Sequence, residues 1–276
     1  MTTNQIIQRV VLTLFVIIVA IFFVTPLLWF MFAPFNPEAT LSVTIPENPS
    51  LENFDEVLSN KLAVTGLFKN SVIIGLGTMI GTALIAAVSA YALSRGSMPG
   101  RTMLTYMLIL FSSVVTGTAS MVPIFKLVYD MGLINTHAGV ILVMIGGLLP
   151  SAIFIMQDFV DSVPRSYEEA AMISGASPIQ IFRDVTFPMM RPGVMVVAIW
   201  VLVNAWGAFL TPFILLRSAD LMPAAVTFYQ FYDPESGMPQ ITLVAAYSVL
   251  YTLPVLLLYL LINWRYGFRF FGGIKQ

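Results

Sequence analysis

Cysteine is absent from this chain, histidine occurs once, at His137, and charged residues make up only 10% of it. The first absence excludes disulfides, thiolate nucleophiles and zinc–cysteine centres, and a single imidazole cannot build a histidine metal cluster. Lys and Arg total 13 against 14 Asp and Glu, so there is no basic surface for a nucleic-acid backbone. A GxxxxGK[ST] phosphate loop is missing as well, and with it that route to binding a nucleotide. No nucleophile, base and orienting acid can be assembled into an enzyme active site. What fills the space is apolar: 58% of the residues are hydrophobic and the mean hydropathy is +0.88, the composition of an integral membrane protein.

A bilayer core of about 30 Å needs about 20 apolar helical residues to cross it. Stretches of that kind fall at 10–32, 71–93, 103–128, 138–159, 193–216 and 241–264. They predict a single all-α membrane domain over 1–276 with six transmembrane helices. The first run is too long for a signal peptide and lacks a small-x-small cleavage site, so it is read as a span. Orientation follows the positive-inside rule. With the N-terminus inside, Arg9, Arg95, Arg101, Arg165, Arg183, Arg191, Arg265, Arg269 and Lys275 face the cytoplasm, and Lys61, Lys69, Lys126 and Arg217 face out. Both termini are then cytoplasmic. The acidic, proline-bearing loop 34–70 is external and ends in a small helix, and the polar connector 161–192 lies in the cytoplasm between spans four and five.

That connector reads as two short helices around a corner. Ser166 and Glu169 have capping-box spacing, and Gly175 is placed to end the first helix in the left-handed region. Ser177, Pro178 and Gln180 repeat the start signal, and Pro188 and Pro192 stop the second helix. Ala170 and Ala171 make a low surface for close approach, while Tyr167, Met172 and Ile173 offer apolar bulk. A helix laid in another protein's groove uses such a surface, and so does an amphipathic segment resting on lipid headgroups.

The run Glu169-Ala170-Ala171, three residues, Gly175, nine residues, then Val185-Thr186-Phe187-Pro188 resembles the cytoplasmic loop of bacterial ATP-binding-cassette (ABC) importer permeases. Further matches lie at Pro49 to Phe54, Asn70-Ser71, Pro123, Gly132 to Thr136, and Trp206 with Phe209 and Pro212. They resemble the carbohydrate-type permeases, especially the six-span second subunit of maltose-like systems. The resemblance implies a coupling-helix elbow between spans four and five that docks on a separate ATPase through Tyr167, Glu168, Glu169, Ala170, Ala171, Met172, Ser174, Gly175, Ala176 and Pro188. It implies no cofactor on this chain, with ATP and Mg on the partner ATPase. It also implies a homologous second permease, two ATPase subunits, an extracytoplasmic solute-binding protein and a place in the bacterial inner membrane. The cargo implied is a sugar, oligosaccharide or polyol, with glycerol phosphate or another osmolyte as an alternative; an ion-gradient-driven carrier is the alternative of a different class. The chain departs from the family pattern at Ser174, usually Asp, at Val185 and Phe187, usually Ile and Leu, and at Gly207-Ala208, where a polar pair is usual.

Polar residues inside the spans are candidates for lining a pathway. They are Ser112, Ser113 and Thr116 in the third span, Asn204 and Trp206 in the fifth, and Tyr247, Ser248 and Tyr251 in the last. Helix packing, or a hydroxyl bonding back to its own helix, is the competing reading for each. Gly77 and Gly81, with Ala83 and Ala87, form a small-residue face suited to close helix packing.

Overall fold

The computed structural model describes residues 3–96, 99–115, 118–233 and 235–266. Helices dominate. They are α1 (Thr3–Phe32), α2 (Glu52–Ser59), α3 (Ser71–Arg95), α4 (Arg101–Val115), α5 (Met121–Asp130) and α6 (His137–Asp161), then α7 (Arg165–Ile173) and α8 (Pro178–Met189). α9 (Arg191–Trp206), α10 (Leu210–Leu215) and α11 (Ile241–Tyr266) follow, with shorter helical turns between them. Among the described residues four helices are long and apolar enough to cross a bilayer, over Ile7–Phe35, Lys61–Arg95, His137–Asp161 and Ile241–Leu261, and the pair α8 and α9 reaches that test together across a 73° bend.

The expected fifth span is broken, running as α9 and α10 with an interruption at Gly207 to Phe209. Within the expected third span, α4 ends at Val115 and a 3-10 turn at Thr118–Ser120 leads into α5. The interruption in the fifth falls just ahead of Pro212, whose ring disfavours a helical carbonyl four residues earlier, at Ala208.

Residues 65–227 and the two chain ends form separate compact units. In the unit of the ends, α11 packs against α2 and the turn at Ala33–Phe35. Asn53 on α2 donates to the carbonyls of Pro34 and Asn36, and Phe228 and Phe231 pack on Tyr247 of α11. The expected small helix ending the loop 34–70 is α2. The apolar side chains of α1 are exposed along its length.

In the unit 65–227, α3 lies against α6 and α9. The core is Ala83, Ala86, Ala87, Ala90 and Leu93 of α3 against Ala152, Ile153, Met156 and Val160 of α6 and Val197 and Val201 of α9. Small residues carry this contact because lipid offers no hydrophobic drive to hold helices together; close approach and dispersion must do it. A side chain at Gly77 or Gly81 would meet the tip of Ile141 or Ile145 on α6, and one at Gly193 would overlap the Cβ and ring base of Phe159. The first two neighbours can turn away. Phe159 is anchored at the point of overlap.

Gly193→Ala should therefore cost about 1 to 3 kcal/mol as an overpacked contact, and Gly81→Ala less than about 1 kcal/mol, since an isoleucine tip repacks. Thermal unfolding of the detergent-purified protein measures both, and equal losses would contradict this packing.

Candidate coupling site

α6 ends at Asp161, and the chain turns through Ser162 and Val163 into α7. The capping box expected between Ser166 and Glu169 is not formed. Pro164, with φ −62° and ψ 129°, is the N-cap and has no side-chain cap bond. The helix thus starts at Arg165, and Ser166 already lies within its first turn. The far end matches the sequence signal. Gly175 has φ +83°, its N–H donates to Met172 O at 2.9 Å and the Ala176 N–H donates to Ala171 O at 3.0 Å, a Schellman closure. A Cβ on Gly175 would meet nothing within 4 Å, so the requirement for glycine is one of backbone conformation alone.

The second limb begins as its sequence suggests. Ser177 N donates to Gln180 Oε1 at 2.8 Å and Gln180 N to Ser177 Oγ at 3.4 Å, a complete capping box, with Pro178 in the first turn. The limb does not stop at Pro188. It continues through a wider π turn at Phe182–Thr186, carries Pro188 in the first turn of the helical piece after it, and breaks only at Met190, where α9 departs at 73°. Loosening of the backbone at the π turn, together with the absence of an N–H on Pro188, lets the proline sit there without ending the helix.

The elbow has two faces. Tyr167, Met172, Ile173 and Ile179 are exposed, Ile173 to 89% and Ile179 to 78%. Glu169, Ala170, Ser174 and Gly175 are also exposed, and Ala171 and Ala176 partly so. On the opposite side Glu168 is only 3% exposed, beside buried Ile181, Thr186 and Met190.

Buried carboxylates need partners, and Glu168 has them on two elements. Arg95 Nε, in the last turn of α3, donates to its two oxygens at 3.0 and 2.9 Å. Thr186 Oγ1, on α8, donates to Oε1 at 2.9 Å. Arg95 Nη2 donates onward to Val160 O at 3.0 Å and Val163 O at 2.9 Å, tying the end of α6 and the turn after it to the end of α3. Arg101 Nη1 donates to Ser94 O at 2.6 Å, and Asp161 lies 3.9 Å from Nη1 of Arg95 and from Nη2 of Arg101. Tyr91 of α3 packs on Phe182, ring centroids 4.9 Å apart, and Phe182 on Phe187 at 5.9 Å. The exposed Arg183 donates to Asp184 at 2.7 Å and holds that carboxyl below the usual carboxylate range; such surface pairs add little stability.

A second set of ties lies at the other end of α3. Asn135 takes φ +60°; its Oδ1 accepts from Arg217 N at 2.9 Å and Ser218 N at 3.0 Å, and its backbone N–H donates to Leu215 O at 2.9 Å. Asn70, just before α3, donates from Nδ2 to Asp220 O at 2.8 Å and Met222 O at 2.9 Å. Ser71 Oγ accepts from Ala224 N at 2.8 Å.

The pathway candidates are placed as follows. Asn204 is exposed and donates to Trp200 O of its own helix at 2.7 Å. Trp206 and Tyr247 are buried, and Ser248 donates back to Val244 O at 2.7 Å. Tyr251 is half-buried. Thr116 and the side chains of Ser112 and Ser113 lie outside the described residues. Asn204 and Trp206 belong to the unit 65–227, and Tyr247, Ser248 and Tyr251 to the unit of the chain ends. Sequence reasoning passed over Arg95 and Thr186; the available signal was an arginine at the end of an apolar run with an acidic pair in the connector.

Glu168→Ala would leave the Arg95 guanidinium buried without its carboxylate and should cost about 3 to 5 kcal/mol. Glu169→Ala, on the exposed face, should stay within about 0.5 kcal/mol. The measurement is the unfolding midpoint of each purified variant, and a larger loss for Glu169→Ala would reverse the assignment.

Residues 79–268 match the family described as binding-protein-dependent transport system inner membrane component. The galactooligosaccharides transport system permease protein GanQ of Bacillus subtilis (strain 168) is 32% identical over 88% of this chain and 87% of its own. The diacetylchitobiose uptake system permease protein NgcG of Streptomyces coelicolor is 31% identical over 92% of this chain and 83% of its own. The trehalose transport system permease protein SugB of Mycobacterium tuberculosis is 29% identical over 87% and 88%. Among solved structures, a chain of a bacterial ABC transporter involved in the import of the acidic polysaccharide alginate superposes with a TM-score of 0.79 at 20% identity, covering 96% of this chain and 99% of that one. With the family match spanning more than half its length, this chain belongs to the binding-protein-dependent transport system inner membrane components, the multi-pass permeases of ABC importers.

Proposed function

We propose that this permease forms half of the translocation pathway of an importer for a sugar, oligosaccharide or polyol, and that the elbow of α7 and α8 is its docking surface for a separate ATPase. The chain is a transport subunit, and ATP hydrolysis belongs to a partner. In the assembled transporter α4 with α5 and α9 with α10 each count as one crossing, which makes six, with both termini and the elbow in the cytoplasm. A homologous second permease completes the pathway, two ATPase copies bind ATP and Mg, and a solute-binding protein meets the external loops. The galactooligosaccharide, diacetylchitobiose and trehalose names of the relatives support the carbohydrate cargo.

One observation carries the docking reading: the elbow exposes Ile173 and Ile179 on either side of a rigid glycine corner while its other face is held by buried bonds to Arg95 and Thr186. Apolar side chains presented in this way by an anchored corner suit a groove on a partner protein. ATP-driven closure of the ATPase pair would move the corner and switch the pathway between inward-open and outward-open states.

Ile173→Glu tests this, because the side chain touches little within its own chain. The variant should fold and insert normally, yet lose solute uptake and binding-protein-stimulated ATP hydrolysis by more than about tenfold, the factor expected for losing one buried isoleucine at an interface. Cysteines at Ile173 or Ile179 should cross-link to the ATPase in the whole assembly. Normal uptake by Ile173→Glu, together with free labelling of both cysteines in an active transporter, would refute the docking role.

A further inference from the structure

Two ends of one helix carry the clue. At its cytoplasmic end α3 holds the elbow, through Arg95 to Glu168 and through Tyr91 to Phe182. At its external end it is fastened to the segment after α10: Asn70 donates to Asp220 O and Met222 O, and Ser71 accepts from Ala224 N. Between these ends lie 25 helical residues, about 37 Å at 1.5 Å per residue, with no proline among them.

The chain connections of the elbow are less direct. It joins α9 across the 73° bend at Met190, and it joins α6 through the non-helical residues Ser162 and Val163. Arg95 spans that second joint, since it donates to Val160 O on one side and Val163 O beyond it. The same guanidinium therefore braces the joint and grips Glu168 one turn into α7. Thr186 brings α8 onto the same carboxylate.

We propose that α3 is the rod that links the ATPase-facing elbow to the external segment 218–224, with Glu168 as the positioning residue at its cytoplasmic end and Asn70 at its external end. The inference rests on the docking reading and deepens it. Movement of the docked elbow draws Arg95, and with it the whole of α3, so that Asn70 and Ser71 shift the backbone of the external segment. Coupling between distant sites is reciprocal. Contacts made by a solute-binding protein on the external side therefore pass down the same helix and bias the elbow toward the geometry that stimulates the ATPase.

The test is a double-mutant cycle in the complete transporter, with binding protein, second permease and ATPase present. Glu168→Gln and Asn70→Ala are made singly and together, and the ratio of solute transported to ATP hydrolysed is measured beside basal hydrolysis and the Ile179 cysteine cross-link to the ATPase. Each single variant should keep the cross-link and basal hydrolysis but lower the transport ratio and the stimulation by loaded binding protein about tenfold, the factor implied by loss of one hydrogen bond to a charged or buried group. Because the two sites serve one rod, the double variant should be little worse than either single one. Sites this far apart otherwise act additively, so additive losses, or an unchanged transport ratio in either single variant, would overturn the proposal. Should Glu168→Gln or Asn70→Ala fail to assemble, Thr186→Val and Ser71→Ala keep the ion pair and the Asn70 bonds and run the same cycle, with the same outcomes deciding. Loss of the cross-link in the wild-type background would instead sink the docking reading and leave this cycle's result distinct from it.

Discussion

The carboxylate of Glu168 is the junction on which the elbow of this permease depends. It is buried, and it accepts from an arginine on α3 and a threonine on α8. A buried ion pair is a weak source of net stability, since desolvation offsets most of its attraction, but breaking one is expensive. Its consequence is geometric specificity. Arg95 satisfies Glu168 and the carbonyls of Val160 and Val163 at once, so α3, the end of α6 and the elbow take one arrangement or leave charge unpaired.

The membrane part rests on a different constraint. Within lipid there is little hydrophobic reason for helices to associate, and α3 meets α6 and α9 through alanines and glycines that bring backbones close. Such a helix has few flexible side chains to absorb displacement along its length. A close-packed, proline-free rod tied at both ends suits the transmission of movement.

Much of this was legible from residues alone. Gly175 as a left-handed corner, Ser177 with Gln180 as a capping box, the small-residue face of α3 and the apolar runs all follow from local chemistry, and local chemistry decides those features. Three readings needed more than these signals. Ser166 has the right spacing to Glu169 for a cap, but Pro164 takes the N-cap position and starts the helix two residues earlier than the box allows. Hydropathy joins α9 and α10 into one run, because it counts apolar residues and does not register the interruption at Gly207 to Phe209. Of the adjacent Glu168 and Glu169, the one that turns inward is selected by Arg95, 73 residues upstream; nothing in the connector itself distinguishes them.

If α3 is the rod proposed above, the elbow and α3 move as one body. Spin labels at Val88, on the exposed side of α3, and at Tyr167, on the exposed side of the elbow, would report their separation by pulsed electron resonance in the assembled transporter, without nucleotide and with ATP trapped. The predicted result is the same distance in both states while labels spanning α3 and the ATPase partner's nucleotide site shift. A change between Val88 and Tyr167 of several ångströms on ATP binding would contradict it.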